Sequence, residues 1–166
     1  MQSVFTKGLY PPTIRDVKVS TRGDYASRAL LSLALHSDAG PTSVRDIAER
    51  TALPQPYLEQ ILLALKGAGL VRSKRGVGGG YTLAREASEI TLAQIVSAVD
   101  GPIQAGDFGQ PHTDGSCDHE GQCVLLAIWN DAGRQMRSLL EAYTLEDLAA
   151  ITDGKQPWPS DGELAN

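Results

Sequence analysis

Cysteine is scarce in this chain, at two among 166 residues. That is too few for a disulfide framework, and such usage fits a reducing, cytoplasmic compartment. No apolar run approaches the roughly 18 residues that a membrane span needs. The opening MQSVFTKGLYPPTIRD lacks the continuous apolar core of a secretory signal. There is no internal repeat. No nucleophile–base pair or paired-carboxylate arrangement stands out, so an enzyme is not expected. The glycine-rich run GVGGGY lacks the Lys-Ser/Thr that a phosphate-cradling loop needs after its glycines, because Tyr81 and Thr82 follow instead. What is present is ordinary: 42% hydrophobic and 21% charged residues, in a length that favours one domain.

The formal net charge of −5 at first argues against a polyanionic partner. Split by position, it says the opposite. Residues 1–85 hold 12 Lys+Arg against 6 Asp+Glu, whereas residues 86–166 hold 3 against 14. A basic half joined to an acidic half points to nucleic-acid contact confined to one region.

Periodicity divides the chain into five stretches. Residues 1–16 form an irregular extension with Pro11 and Pro12 as breakers. Residues 17–100 form a compact module. In it, Tyr25, Ala29, Leu30 and Leu33 recur at helical spacing, and Thr21 with Asp24 resembles a capping box. His36 closes this helix, where it suits the C-terminal dipole. Ser43 opens a short helix whose apolar face is Val44, Ile47 and Ala48. After the brief connection TALPQP comes a helix with Pro56 in its first turn and Leu58, Ile61, Leu62 and Leu65 at i, i+3, i+4 and i+7. Helix, short turn, helix is a DNA-binding unit. Two short β-prone runs, LVRSK and YTL, then flank the glycines, a hairpin pattern with a flexible tip. Thr91 caps one further helix of the module.

Residues 101–122 lose all periodicity and gather glycine, aspartate, histidine and cysteine, a length of loop that is usually functional or mobile. Residues 123–151 carry a near-heptad stripe of Leu125, Ile128, Ala132, Met136, Leu139 and Tyr143, spaced for a long dimerisation helix, and then a short helix capped by Thr144 and Asp147. Trp129 and Tyr143 are expected in that dimer core. Residues 152–166 form a polar, flexible tail. The expected fold class is mainly α with a small β-wing: a winged helix-turn-helix plus a long dimerisation helix.

A winged helix reads DNA with the outer face of its second helix and with its hairpin. With the leucine face turned inward, Tyr57, Glu59, Gln60 and Lys66 face out, while Arg72, Lys74 and Arg75 charge the wing. Ser43 and Pro56, which open the two helices, complete the expected contact set. Gln60 has the amide to pair with adenine, and Glu59 can accept from a cytosine amino group. Between Thr42 and Arg85 there are 7 basic residues against 3 acidic. Winged helices also serve as protein-interaction modules, so a partner protein stays open as the alternative.

The segments VKVSTRGDYASRALLSLAL, PYLEQILLALKGAGLVRSKRGVGGGYTLAREASEITLAQIVSAVDG and CDHEGQCVLLAIWND together resemble the IscR/NsrR-type family of bacterial winged-helix regulators. The likeness runs roughly from Val17 to Ile151. It implies a homodimeric transcription regulator, a repressor, that binds a double-stranded DNA operator. It also implies that Tyr57, Glu59 and Gln60 read bases and that Arg75 enters the minor groove.

Members of that family that sense iron–sulfur status or redox state place three cysteines in the loop. Cys117 and Cys123 match the second and third, whereas Pro111 stands where the first is expected and Leu126 replaces an expected histidine. Three readings remain open. An iron–sulfur cluster, of the 2Fe–2S kind, would use both thiolates with His119, His112 or Asp24 as further ligands, since histidine replaces cysteine in Rieske centres. A reversible disulfide is feasible across so short a loop, although Asp118 and Glu120 oppose thiolate formation. Zinc would use His112, Cys117, His119 and Cys123, at compressed spacing. Inert cysteines are the plain alternative.

Overall fold

The structure is a computed structural model and describes residues 19–103 and 124–159. Helix α1 (Thr21–Leu35) runs through the middle of the module. Its cap is Ser20, whose Oγ accepts from the Gly23 amide at 2.9 Å and donates to the Asp100 carboxylate. The capping box expected from Thr21 and Asp24 is therefore not formed. Thr21 already lies in the first helical turn, and Asp24 pairs with Arg28 Nε at 2.9 Å, one turn on. The shift goes with a tertiary contact to Asp100. Gly23 sits so close to Asp100 that a Cβ there would meet Asp100 Oδ2 at 3.1 Å. That approach brings Ser20, one residue upstream of Thr21, within reach of the carboxylate. At the other end His36 is the C-cap, and its Nδ1 lies 2.8 Å from the Ser32 carbonyl, one turn back.

Helix α2 (Val44–Thr51) is capped by Ser43, which accepts from the Asp46 amide at 3.1 Å. Ala52 then turns the chain with a left-handed φ of 55°, and Leu53 drops into the core. Helix α3 (Gln55–Gly67) begins after Pro54, with Pro56 at its second position, where a missing N–H leaves no intrahelical bond unmade. Strands β1 (Val71–Lys74) and β2 (Gly80–Leu83) pair antiparallel, Val71 opposite Leu83 and Lys74 opposite Gly80. Two more helices complete the module. In α4 (Leu92–Asp100) Thr91 and Gln94 form a capping box, as do Thr144 and Asp147 at the start of α6 (Leu145–Thr152). Between them lies α5 (Val124–Glu141). The fold is mainly helical with a two-stranded wing.

One apolar core joins the helices of the module. Leu30 from α1, Ile47 from α2, Leu58, Ile61, Leu62 and Leu65 from α3, Ile95 from α4 and Leu145 from α6 are all fully buried. A satellite cluster of Ala93, Val96 and Ile103 receives Met136 and Leu140 from α5. Arg137 adds a hydrogen bond of 3.0 Å to the Ile103 carbonyl. Tyr143 does not extend α5 as the stripe had implied. The helix ends at Glu141, and the Tyr143 carbonyl instead accepts from the Leu92 amide at 2.9 Å. That bond, with the one from Leu145 N to Ile90 O at 2.8 Å, draws α6 against the start of α4.

Candidate DNA interface

Burying the four leucine-class residues of α3 fixes which side chains remain outside. Pro56, Tyr57, Glu59, Gln60 and Lys66 are all exposed. Tyr57 is braced from behind, since its ring meets that of Tyr25 on α1 edge-on with centroids 5.6 Å apart. Glu59 accepts from Gln55 Nε2 at 3.1 Å, and Lys66 Nζ donates to Ser73 Oγ on β1 at 2.7 Å. The lysine therefore ties the end of α3 to the root of the wing. Ser43 is engaged as a cap, with its hydroxyl also donating to Asp46 Oδ2 at 2.8 Å. Along α2, Arg45 pairs with Glu49 at 2.8 Å, and that hydrogen bond raises the guanidinium pKa above its ordinary value.

The wing is joined to the helices by a bridge that periodicity does not reveal. Thr42, buried just before α2, exchanges two backbone hydrogen bonds with Tyr81 on β2, at 2.9 and 2.8 Å. Gly80 makes this possible, because a Cβ there would lie 2.4 Å from the Thr42 carbonyl oxygen. The tip is equally closed. Gly79 N bonds to Gly76 O at 2.9 Å around Gly78, whose φ of 70° is the third-position signature of a type II turn. A Cβ on Gly79 would meet Lys74 O at 2.4 Å. The glycines that suggested a flexible tip thus have specific causes: close backbone approach at Gly79 and Gly80, and positive φ at Gly76 and Gly78. Arg72, Lys74 and Arg75 are exposed, and Arg72 Nη2 reaches back to the Leu83 carbonyl at 3.4 Å.

The module therefore offers one surface made of two parts: the outer face of α3 and a hairpin fastened to α3 through Lys66 and to the start of α2 through Thr42. The residues that fasten it, Thr42 and Ser73, were not singled out from the sequence. A buried threonine beside a proline leaves no periodic signal.

Residues 19–151 match the Rrf2 family, described as iron-dependent transcriptional regulators. The chain belongs to the Rrf2 family. It is 38% identical over 132 residues to the HTH-type transcriptional regulator IscR of Xenorhabdus nematophila, covering 80% of this chain and 79% of that protein. Among solved structures it resembles IscR of T. potens, with a TM-score of 0.68, 34% identity and 87% and 94% of the two chains covered. It also resembles CymR, the global cysteine regulator of B. subtilis, with a TM-score of 0.67, 36% identity and 82% and 99% covered. As an Rrf2 protein this chain is a DNA-binding transcription regulator, and the relatives indicate no enzymatic family. No helix among the described residues is long and apolar enough to cross a membrane.

The metal question rests on other residues. Cys117, Cys123, His112 and His119 lie outside the described residues. Asp24, the remaining candidate ligand, has its carboxylate on Arg28. Among the described residues no group of three or more His, Cys, Asp and Glu is arranged to hold a metal ion.

Proposed function

We propose that this Rrf2 protein is a homodimeric, cytoplasmic repressor that grips a DNA operator with α3 and the wing. Its affinity is set by iron–sulfur or redox chemistry at Cys117 and Cys123. The observation that carries the DNA assignment is the wing itself, a cationic hairpin locked to α2 by the Thr42–Tyr81 bridge and to α3 by Lys66. In this reading Tyr57, Glu59 and Gln60 reach base edges in the major groove, and Arg75 enters the adjacent minor groove. Ser43, Pro56, Lys66, Arg72 and Lys74 fix the register on the sugar–phosphate backbone.

The dimer is supported by α5. Its inner face, Gly133, Met136 and Leu140, is turned toward the module, yet Val124, Leu125, Ile128, Trp129 and Leu139 stay exposed. A second copy covering this face would set two α3 helices roughly 34–36 Å apart, one turn of the duplex.

The donor chemistry of the loop supports the sensor reading. Two thiols and two imidazoles within residues 112–123 suit iron or zinc. Asp24 would join them as a carboxylate already paired through Oδ2 with Arg28. A 2Fe–2S cluster bound there would supply one-electron redox chemistry. The loop joins α4, which packs on α1 and α3, to α5, so a change in its state acts on the spacing of the two recognition helices. Coupling of this kind is typically worth about 1–3 kcal/mol.

Anaerobic purification with a visible spectrum and iron, sulfide and zinc assays tests the sensor. A coloured, iron- and sulfide-containing protein that loses colour and response in Cys117→Ala is expected. A colourless protein whose response to oxidant needs both thiols would move the reading to the thiol switch, and stoichiometric zinc would move it to zinc. A colourless, metal-free protein whose Cys117→Ala variant responds unchanged would leave regulation to a partner protein.

A further inference from the structure

The wing carries one side chain that neither the charge argument nor the fold explains. Val77 stands at the tip of the hairpin, fully exposed, with no neighbour covering it. Its position is fixed by the surrounding turn. Gly76, Gly78 and Gly80 take positive φ, the Gly79 amide closes on the Gly76 carbonyl, and Gly79 has no room for a Cβ. Val77 therefore occupies the second position of a closed turn, the only residue between Arg75 and Tyr81 with a side chain. An exposed valine raises the cost of the free state in water and packs nothing in the fold. The turn holds it two residues from Arg75, on a hairpin held to the helices by the Thr42–Tyr81 bridge.

We infer that Val77 is a specificity-determining DNA contact, an apolar knob that packs into the minor groove beside Arg75. This rests on the DNA-facing assignment of the wing. The physical division of labour is clear. Arg75 is drawn by the phosphate field and its contribution falls with salt. Val77 carries no charge, so its contribution comes from burying methyl groups against sugar faces and the groove floor and is indifferent to salt. The fit of those methyls depends on groove width and on the absence of the guanine amino group, so Val77 favours A·T steps.

The experiment uses the full-length chain and a duplex selected by the wild-type protein from a randomised library. Binding is followed by fluorescence anisotropy from low to high salt. Val77→Ala is expected to weaken binding about tenfold per dimer at every salt concentration, leaving the salt slope unchanged. Arg75→Ala is expected to weaken it and to flatten the slope. Replacing adenine by 2,6-diaminopurine under the wing adds an amino group to the groove floor. That replacement should penalise the wild type more than Val77→Ala. Binding of Val77→Ala within twofold of wild type, with Arg75→Ala impaired, would overturn the inference and leave the wing assignment standing. If neither substitution has an effect, the wing does not touch DNA and both readings fall. Equal diaminopurine penalties in wild type and Val77→Ala would remove the valine from the groove.

Discussion

Two helices of this chain carry leucine and isoleucine along an apolar stripe of helical period and use them differently. In α3, Leu58, Ile61, Leu62 and Leu65 are completely buried within their own chain. In α5, Leu125, Ile128 and Leu139 remain 57%, 53% and 44% exposed, beside an exposed Trp129. Periodicity says that a face wants cover. It does not say whose atoms supply it. For α3 the answer lies in α1, α2 and α4. For α5 the module covers one narrow strip around Met136 and Leu140; the remainder stays exposed, and in the proposed dimer a second copy covers it.

That contrast is most strongly tested by cutting a side chain from each helix. Leu62→Ala opens a cavity in a sealed core and should cost about 2–5 kcal/mol in urea unfolding. Ile128→Asp changes a side chain that is half exposed and outside both buried clusters, so the module should keep its helical circular dichroism and lose less than about 1 kcal/mol of stability. Its effect should appear in light scattering, where the dimer becomes a monomer, and in operator affinity, which should fall on the order of a hundredfold as two half-sites are no longer held together. If Ile128→Asp unfolds the chain, or if it stays dimeric, the two helices are not the contrasting pair described here.

A smaller effect separates the caps of the two regions. The Thr144 hydroxyl and amide hold the Asp147 carboxyl below the usual carboxylate range. A folded pKa below the unfolded one means that the unfolded chain binds more protons in acid. The stabilisation is therefore complete above about pH 4 and disappears as pH falls through the folded value. Thr144→Ala should cost about 1 kcal/mol at neutral pH, and the gap to the parent protein should narrow below about pH 4. Thr21→Ala at the other end should change little, because Ser20 holds that cap. A penalty at Thr21 equal to that at Thr144 would reverse the assignment of the α1 cap.

Much of this was legible in the residues. The buried face of α3, the Ser43 and Thr144 caps and the wing strands all follow from local rules of period, capping and turn chemistry. Three features were not legible because they depend on partners distant in sequence. Ser20 displaced Thr21 as the cap of α1 because Asp100, eighty residues on, lies beside it. Thr42 acquired its role from Tyr81 across the glycine at position 80. Val77 looked like one more residue of a flexible turn until the closed geometry of its glycines showed that it is held outward. The opposite charges of the two halves were legible from the start. The structure places the positive half's Lys74 and Arg75 on the wing, beside the exposed face of α3.

The central claim is that α3 and the wing form one DNA-facing surface, presented twice by a dimer joined through α5. Hydroxyl-radical footprinting on a duplex selected by the wild-type protein tests it most directly. The account predicts two symmetric protected tracts about one helical turn apart, with Arg75→Ala losing the protection contributed by the wing and Ile128→Asp losing the two-fold pattern. A single asymmetric tract, unchanged by either substitution, would contradict it.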